Sequence, residues 1–192
     1  LVAEICGLDC AFWRGGGNIP NGVVSRYPIT GSGTWVDASV TDRQFEWARI
    51  DLPGPRDLLA ISVHLLTDSA KHQTQAVDLV GYIKANAQPT DYVVLGGDFN
   101  SDTYEDGIFA TFSEVLSVAA PWPADQSGNV GTNTNRLMDG KSKPYDHVVA
   151  NGVLRGYERA VVIGKNSFPA GAVIDTRVYT PIEDLAPAVA TD

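Results

Sequence analysis

The chain has 192 residues, 44% hydrophobic and 19% charged, which is the composition of about one folded domain rather than a disordered segment. Its 14 Lys and Arg face 23 Asp and Glu, a net charge of −9, so an overall basic surface for gripping polyanions is excluded. No apolar run approaches the roughly 18 residues that a bilayer span requires, and Cys6 and Cys10 are too few for a disulfide framework or a zinc site.

The opening "LVAEICGLD" reads as the end of a helix already under way, with no initiator Met or signal-peptide pattern ahead of it. "NGVVSRYPI", residues 21–29, is a short apolar run closed by Pro28 and predicts a strand followed by a loop. Residues 44–52 and 56–65 flank "PGP" and predict a hairpin. In its second strand Leu59, Ile61, Val63 and Leu65 share one face, while Ala60, Ser62 and His64 share the other.

Thr67, Asp68 or Ser69 can cap the helix that follows, where Ala76, Leu79, Val80, Ile83 and Ala87 recur at helical spacing. His72, on the first turn of its polar face, is expected in solvent. "YVVLGG" predicts a strand buried on both faces, and residues 108–117 a shorter helix. "PWPADQSGNVGTNTNR" is loop, and "DHVVAN" and "YERAVVI" predict two more strands, antiparallel neighbours. From Gly164 onward the chain is rich in Pro and Gly with little periodicity. Hairpins mixed with helical crossovers make the fold class α/β.

The chemistry concentrates in "VVLGGDFNSD", residues 93–102. A strand ends here by presenting Asp98 and Asn100, which leave an extended chain on the same side. One anionic and one neutral oxygen donor aimed at a common point suit a hard divalent cation or a water molecule held for attack. Gly, Asp and Asn are also the residues with which a chain turns, so the pair taken alone keeps both meanings.

"GDFN" after an apolar strand, "SVHL" at the end of the preceding strand and "PYDHVVAN" further on occur here in this order. With "NGVVSRYPI" ahead of them, they make the chain resemble the endonuclease/exonuclease/phosphatase superfamily, the metal-dependent phosphoesterases that include deoxyribonuclease I. The resemblance runs from about Asn21 to Asn151. It implies a four-layer sandwich of two mixed β-sheets flanked by helices, acting with Mg²⁺, Mn²⁺ or Ca²⁺.

The resemblance also implies roles. Asp98 would align or deprotonate the attacking water, and Asn100 would orient it or contact the phosphate; both would serve as metal ligands. His64 would bind the scissile phosphate or protonate the leaving oxygen, and Asp146 would hold a catalytic His. His147 follows Asp146 on a strand, so it points to the opposite face and is read as structural. His64 also has a plain reading as a core histidine, and Asp146 as an acid at a hairpin end.

The loop "TNTNRLMDGKSKPYD" gathers Asn133, Asn135, Arg136, Lys141 and Lys143 just before Asp146. In an acidic chain it is the candidate phosphate-gripping patch, with an ordinary solvated loop as the alternative. Arg26 is a further candidate for substrate contact, or a surface residue.

The superfamily pattern also has an Asn on the first strand, a metal-binding Glu at the end of the second, and a terminal His. None matches a position here, and Glu4 is not assigned to the metal. The expectation is therefore a single domain, truncated at both ends, that lacks the first and last strands. The functional expectation is a phosphoester hydrolase, a nuclease first and a phosphatase or phosphodiesterase on small-molecule, inositol or lipid phosphates second. A non-catalytic module that keeps the fold is the third reading. A monomer, DNA as a candidate partner and export from a bacterial cell complete the expectations.

Overall fold

The computed structural model describes residues 10–133 and 141–186. Its centre is a five-stranded sheet in the order β3-β4-β5-β6-β7. The strands are β3 (Ile29–Trp35), β4 (Phe45–Ile50), β5 (Leu58–His64), β6 (Tyr92–Asp98) and β7 (Asp146–Ala150). β5 and β6 run parallel and the other neighbouring pairs antiparallel, so the sheet is mixed.

A parallel pair needs a crossover, which α1 (Ser69–Asn86) supplies. Asp68 caps it by accepting the Lys71 N–H at 3.0 Å. Ala76, Leu79, Val80 and Ile83 form its buried stripe against Leu59, Ile61, Val63, Val93 and Leu95 of the sheet. The short α2 (Gly107–Phe112), capped by Asp106, adds Ile108, Phe109 and Phe112 to the same core. Each such side chain contributes about 1.5–3 kcal/mol on burial, so this face is the main source of stability.

The opposite face is covered in part by a hairpin of β1 (Ala11–Arg14) and β2 (Gly22–Ser25). Val23 packs there with Ala48, Ile50 and Ala60. Fully buried Glu46 ties this hairpin to the sheet, because the Trp13 indole N–H and the Thr34 hydroxyl both donate to its Oε2 at 2.8 Å. Cover does not extend to β7, where Val148 on the same face is 78% exposed. After β7 come α3 (Gly152–Arg155), a separate hairpin of β8 (Val161–Ile163) and β9 (Asn166–Phe168), and a 3-10 turn at Ile182–Leu185.

The α/β class, the mixed sheet, the hairpin around "PGP", the helix and its cap stand as the sequence predicts. Among the described residues the second sheet is represented only by two-stranded hairpins. The opening helix end lies outside the described residues, and Cys10 is disulfide-bonded.

Three expectations are corrected. "NGVVSRYPI" is not one strand, since a bend at Arg26–Tyr27 sends β2 to the hairpin and β3 to the main sheet. "YERAVVI" does not pair with β7. The Asn151 side chain accepts the Leu154 N–H and starts a helical turn, and β7 lies beside β6 instead. His72 is not in solvent. It is 3% exposed, with Nδ1 3.7 Å from Asp106 Oδ2, because α2 packs over the start of α1.

Candidate active site

β6 carries the site. Gly97 has φ +144°, and a Cβ there would lie 1.9 Å from the Val63 carbonyl oxygen, so only glycine lets β6 run this close to β5. Beyond it the chain alternates. Asp98 points out from the open face, Phe99 is fully buried against Phe112 at 5.4 Å, and Asn100 emerges again. The buried phenyl anchors a donor on each side of it. Asn100 takes the left-handed conformation at φ +51°, which Asn tolerates better than most residues, and its N–H donates to Asp98 Oδ1 at 2.8 Å.

Register brings three of the expected residues into one row. His64 pairs with Asp98 across β5 and β6, and Asp98 pairs with Asp146 across β6 and β7. His64 Nε2 lies 3.6 Å from Asp98 Oδ2. Asp98 is half-buried, and burial raises its carboxyl pKa, with the negative charge of Asp146 adding to the rise. The Asn100 N–H, His64 and Arg43 pull the other way. A carboxylate with increased affinity for a proton, next to an imidazole, is the equipment of acid–base chemistry.

Asn100 is held from below. Its Nδ2 donates to the Leu65 carbonyl at 2.8 Å, and its carboxamide oxygen accepts nothing among the described residues. Asp98 Oδ2 likewise accepts no hydrogen bond from the backbone. Two oxygens of this kind, one of them facing His64, fit a hard divalent cation, which keeps several waters and takes phosphate oxygens as further ligands. Among the described residues no group of three or more His, Cys, Asp or Glu gathers to hold an ion.

Asp146 is exposed at the start of β7, where its N–H donates to Thr132 Oγ1 at 2.7 Å, and no histidine pairs with its carboxylate among the described residues. His147 points to the helix face. Its Nε2 lies 2.9 Å from Ser101 Oγ, and burial lowers its pKa. That is a structural role, as the alternation of the strand requires.

The expected basic patch is placed differently. Asn135 and Arg136 lie outside the described residues. Asn133 is a brace, its side-chain oxygen accepting the Ser142 and Lys143 N–H groups at 2.9 Å. Lys143 is paired with Asp102 at 2.6 Å. Arg26 is exposed in the bend after β2, on a stretch that starts at Gly22 beside Ser62 and reaches Ile29 opposite Ile50. Ile50 pairs with Leu58, at the far end of β5 from His64, so Arg26 does not join the row.

Sequence reasoning missed Arg43. It is 13% exposed, grips Asp42 at 3.1 Å, and its charge reaches Asp98. The strand register reveals it, because Glu46 pairs with Ser62 and residues just ahead of Glu46 therefore lie at the His64 end. A cleft of about 800 Å³ also opens beside Gly97 and Asp146, with Lys141, Arg155 and Arg159 in its walls.

No protein-family model matches the sequence, and no curated protein matches it. Solved structures do match. The endonuclease/exonuclease/phosphatase from Bacteroides vulgatus superimposes with a TM-score of 0.60 at 16% identity, over 75% of this chain and 65% of that one. D. rerio TDP2, complexed with a single-strand DNA product, gives 0.54 at 14% identity over 78% and 64%. Sphingomyelinase C from Streptomyces griseocarneus gives 0.51 at 19% identity over 68% and 52%.

The chain has the deoxyribonuclease I-like fold. The resemblance read from "GDFN" and "PYDHVV" is thereby borne out at the level of the fold. This chain spans only between half and two-thirds of the length of these deoxyribonuclease I-like proteins. At such identities the likeness concerns fold, and function has to be argued from the site.

Proposed function

We propose that this chain carries the water-activating part of a phosphoester hydrolase that cleaves phosphodiester bonds. The observation that supports it is the single row of His64, Asp98 and Asp146, with Asn100 beside Asp98 and a cleft opening at the Asp146 end. Asp98 accepts the proton of the attacking water. Asn100 turns its free carboxamide oxygen toward that water or the substrate. His64 stands at the leaving side and donates a proton to the departing oxygen, while Arg43 contributes positive charge near the phosphate. Asp98 and Asn100 would also hold Mg²⁺ or a similar cation, which when bound polarises phosphoryl oxygens.

A nuclease is the first reading. Lys141 and Arg159 along the cleft supply local positive charge in a chain of net charge −9, while Arg155 beside them is paired with Glu158 at 2.6 Å. A small-molecule, inositol or lipid phosphoesterase is the second, favoured by that net charge and by the engagement of Lys143 with Asp102.

The test is nicking of supercoiled plasmid in Mg²⁺, run beside hydrolysis of bis(p-nitrophenyl) phosphate and a lipid phosphodiester. Asp98→Ala is expected to lose about 10²–10⁴-fold of the rate on whichever substrate is cut, and chelator to abolish it. Turnover that survives Asp98→Ala would remove the assignment of this row.

A further inference from the structure

Gln75 lies in the first half of α1, is fully buried, and the hydrolytic scheme gives it no task. A buried carboxamide must satisfy both its oxygen and its nitrogen, or cost the fold the desolvation of whichever is left over. Both are satisfied, and by partners that matter. Gln75 Oε1 accepts the Leu66 N–H at 2.8 Å. Gln75 Nε2 donates to Asp37 Oδ2, a side chain that is itself 2% exposed. The two bonds fix which end of the carboxamide is which.

The Leu66 N–H and the Leu65 carbonyl are the two ends of one peptide group, which is planar and turns as a unit. The carbonyl end accepts the Asn100 Nδ2–H at 2.8 Å. Gln75 therefore grips one end of a rigid plate, and Asn100 is docked on the other. With Nδ2 held there, the Asn100 carboxamide oxygen is directed away from Leu65. A plate held at its N–H end cannot rotate, so the carbonyl cannot swing and release Asn100. Donation to Gln75 also polarises the peptide and strengthens the carbonyl as an acceptor.

Asp37 completes the clamp. Its Oδ1 accepts the Ser39 N–H at 2.9 Å, and its own N–H donates to Gln44 Oε1 at 2.7 Å. The helix, the loop that carries Asp42 and Arg43, and the turn after His64 are thus joined at one buried point.

We propose that Gln75 is a positioning residue for Asn100, acting through the 65–66 peptide and braced by Asp37. The catalytic part of this statement rests on the phosphoester-hydrolase reading, whereas the geometric part does not.

The experiment therefore has two readouts. Parent, Gln75→Leu, Gln75→Glu, the double variant Gln75→Glu/Asp37→Asn and Asn100→Ala are each made in the full chain. The side-chain amide resonances of Asn100 are followed by ¹⁵N NMR, and kcat and KM are measured on bis(p-nitrophenyl) phosphate in Mg²⁺. Gln75→Leu is expected to shift the Asn100 side-chain amide toward the position of a solvated amide and to speed its hydrogen exchange. It is expected to lower kcat about 10–100-fold, the usual consequence of losing an outer partner of a site ligand, with KM held.

Gln75→Glu alone sets two carboxylates against each other and is expected to behave likewise. Adding Asp37→Asn restores one donor and three acceptors with the bond between the two side chains reversed, and is expected to recover both the resonance and kcat. An Asn100 amide unmoved in folded Gln75→Leu would overturn the proposal. So would a shift that the double variant fails to reverse while its fold is intact. Should the parent cut no phosphoester at all, the hydrolase reading fails by itself, and the resonances still decide whether Gln75 positions Asn100.

Discussion

Asp98 is held half-buried between His64 and Asp146, and burial raises its pKa above the ordinary carboxylate value of 3.8. The sign of the linkage follows. Stability that Asp98 contributes is fully present below the unfolded value and is lost as pH rises through the higher folded one. At neutral pH its ionised form works against the fold. Asp98→Asn, which keeps the acceptor for the Asn100 N–H, is therefore expected to raise the thermal midpoint at pH 7 in chelator while removing the proposed proton acceptor. The gain should vanish once the pH falls below the ordinary carboxylate range, and a midpoint lowered at pH 7 would contradict it. The residue's identity was legible in "GDFN", but its environment was not, because Asp146 is 48 positions away in the chain.

Helix α1 and strand β6 were the most legible elements. The helix expected after a cap at Thr67, Asp68 or Ser69 spans Ser69–Asn86, and "YVVLGG" became Tyr92–Asp98. Both signals are local, a 3.6-residue stripe and a continuous apolar run. Leu79 is fully buried at the centre of that stripe. Leu79→Ala is expected to cost about 2–5 kcal/mol, read as a fall in the urea midpoint at unchanged slope. β1 and β3 were not legible. "ITGSGTW" carries two glycines, and Gly33 lies under the Trp47 ring, where a Cβ would come within 3.0 Å. Its strand character comes from pairing with β4, not from its own residues.

Over the whole molecule, acid should loosen the fold in two stages. His147 has its pKa lowered by burial, so the stability it contributes is full above its unfolded value of 6.5 and is lost as pH falls through the lower folded value. Asp175, hydrogen-bonded by Arg177, is held at about 2, so its contribution is full above 3.8 and is lost as pH falls through about 2. Urea midpoints measured across this range are expected to fall in both windows. His147→Gln should flatten the first decline and leave the second, and an unchanged first decline would refute the assignment. By itself the sequence determined the α/β class, the main helix and the central hairpin, and it singled out His64, Asp98, Asn100 and Asp146 as candidates, because these rest on periodicity and short motifs. Only the tertiary structure decided the register that aligns them, the burial of His72, the place of Arg43 and the grip of Gln75 on the 65–66 peptide. Each of these is a contact between segments distant in the chain, and strand pairing and helix packing, which local propensity does not encode, bring those segments together.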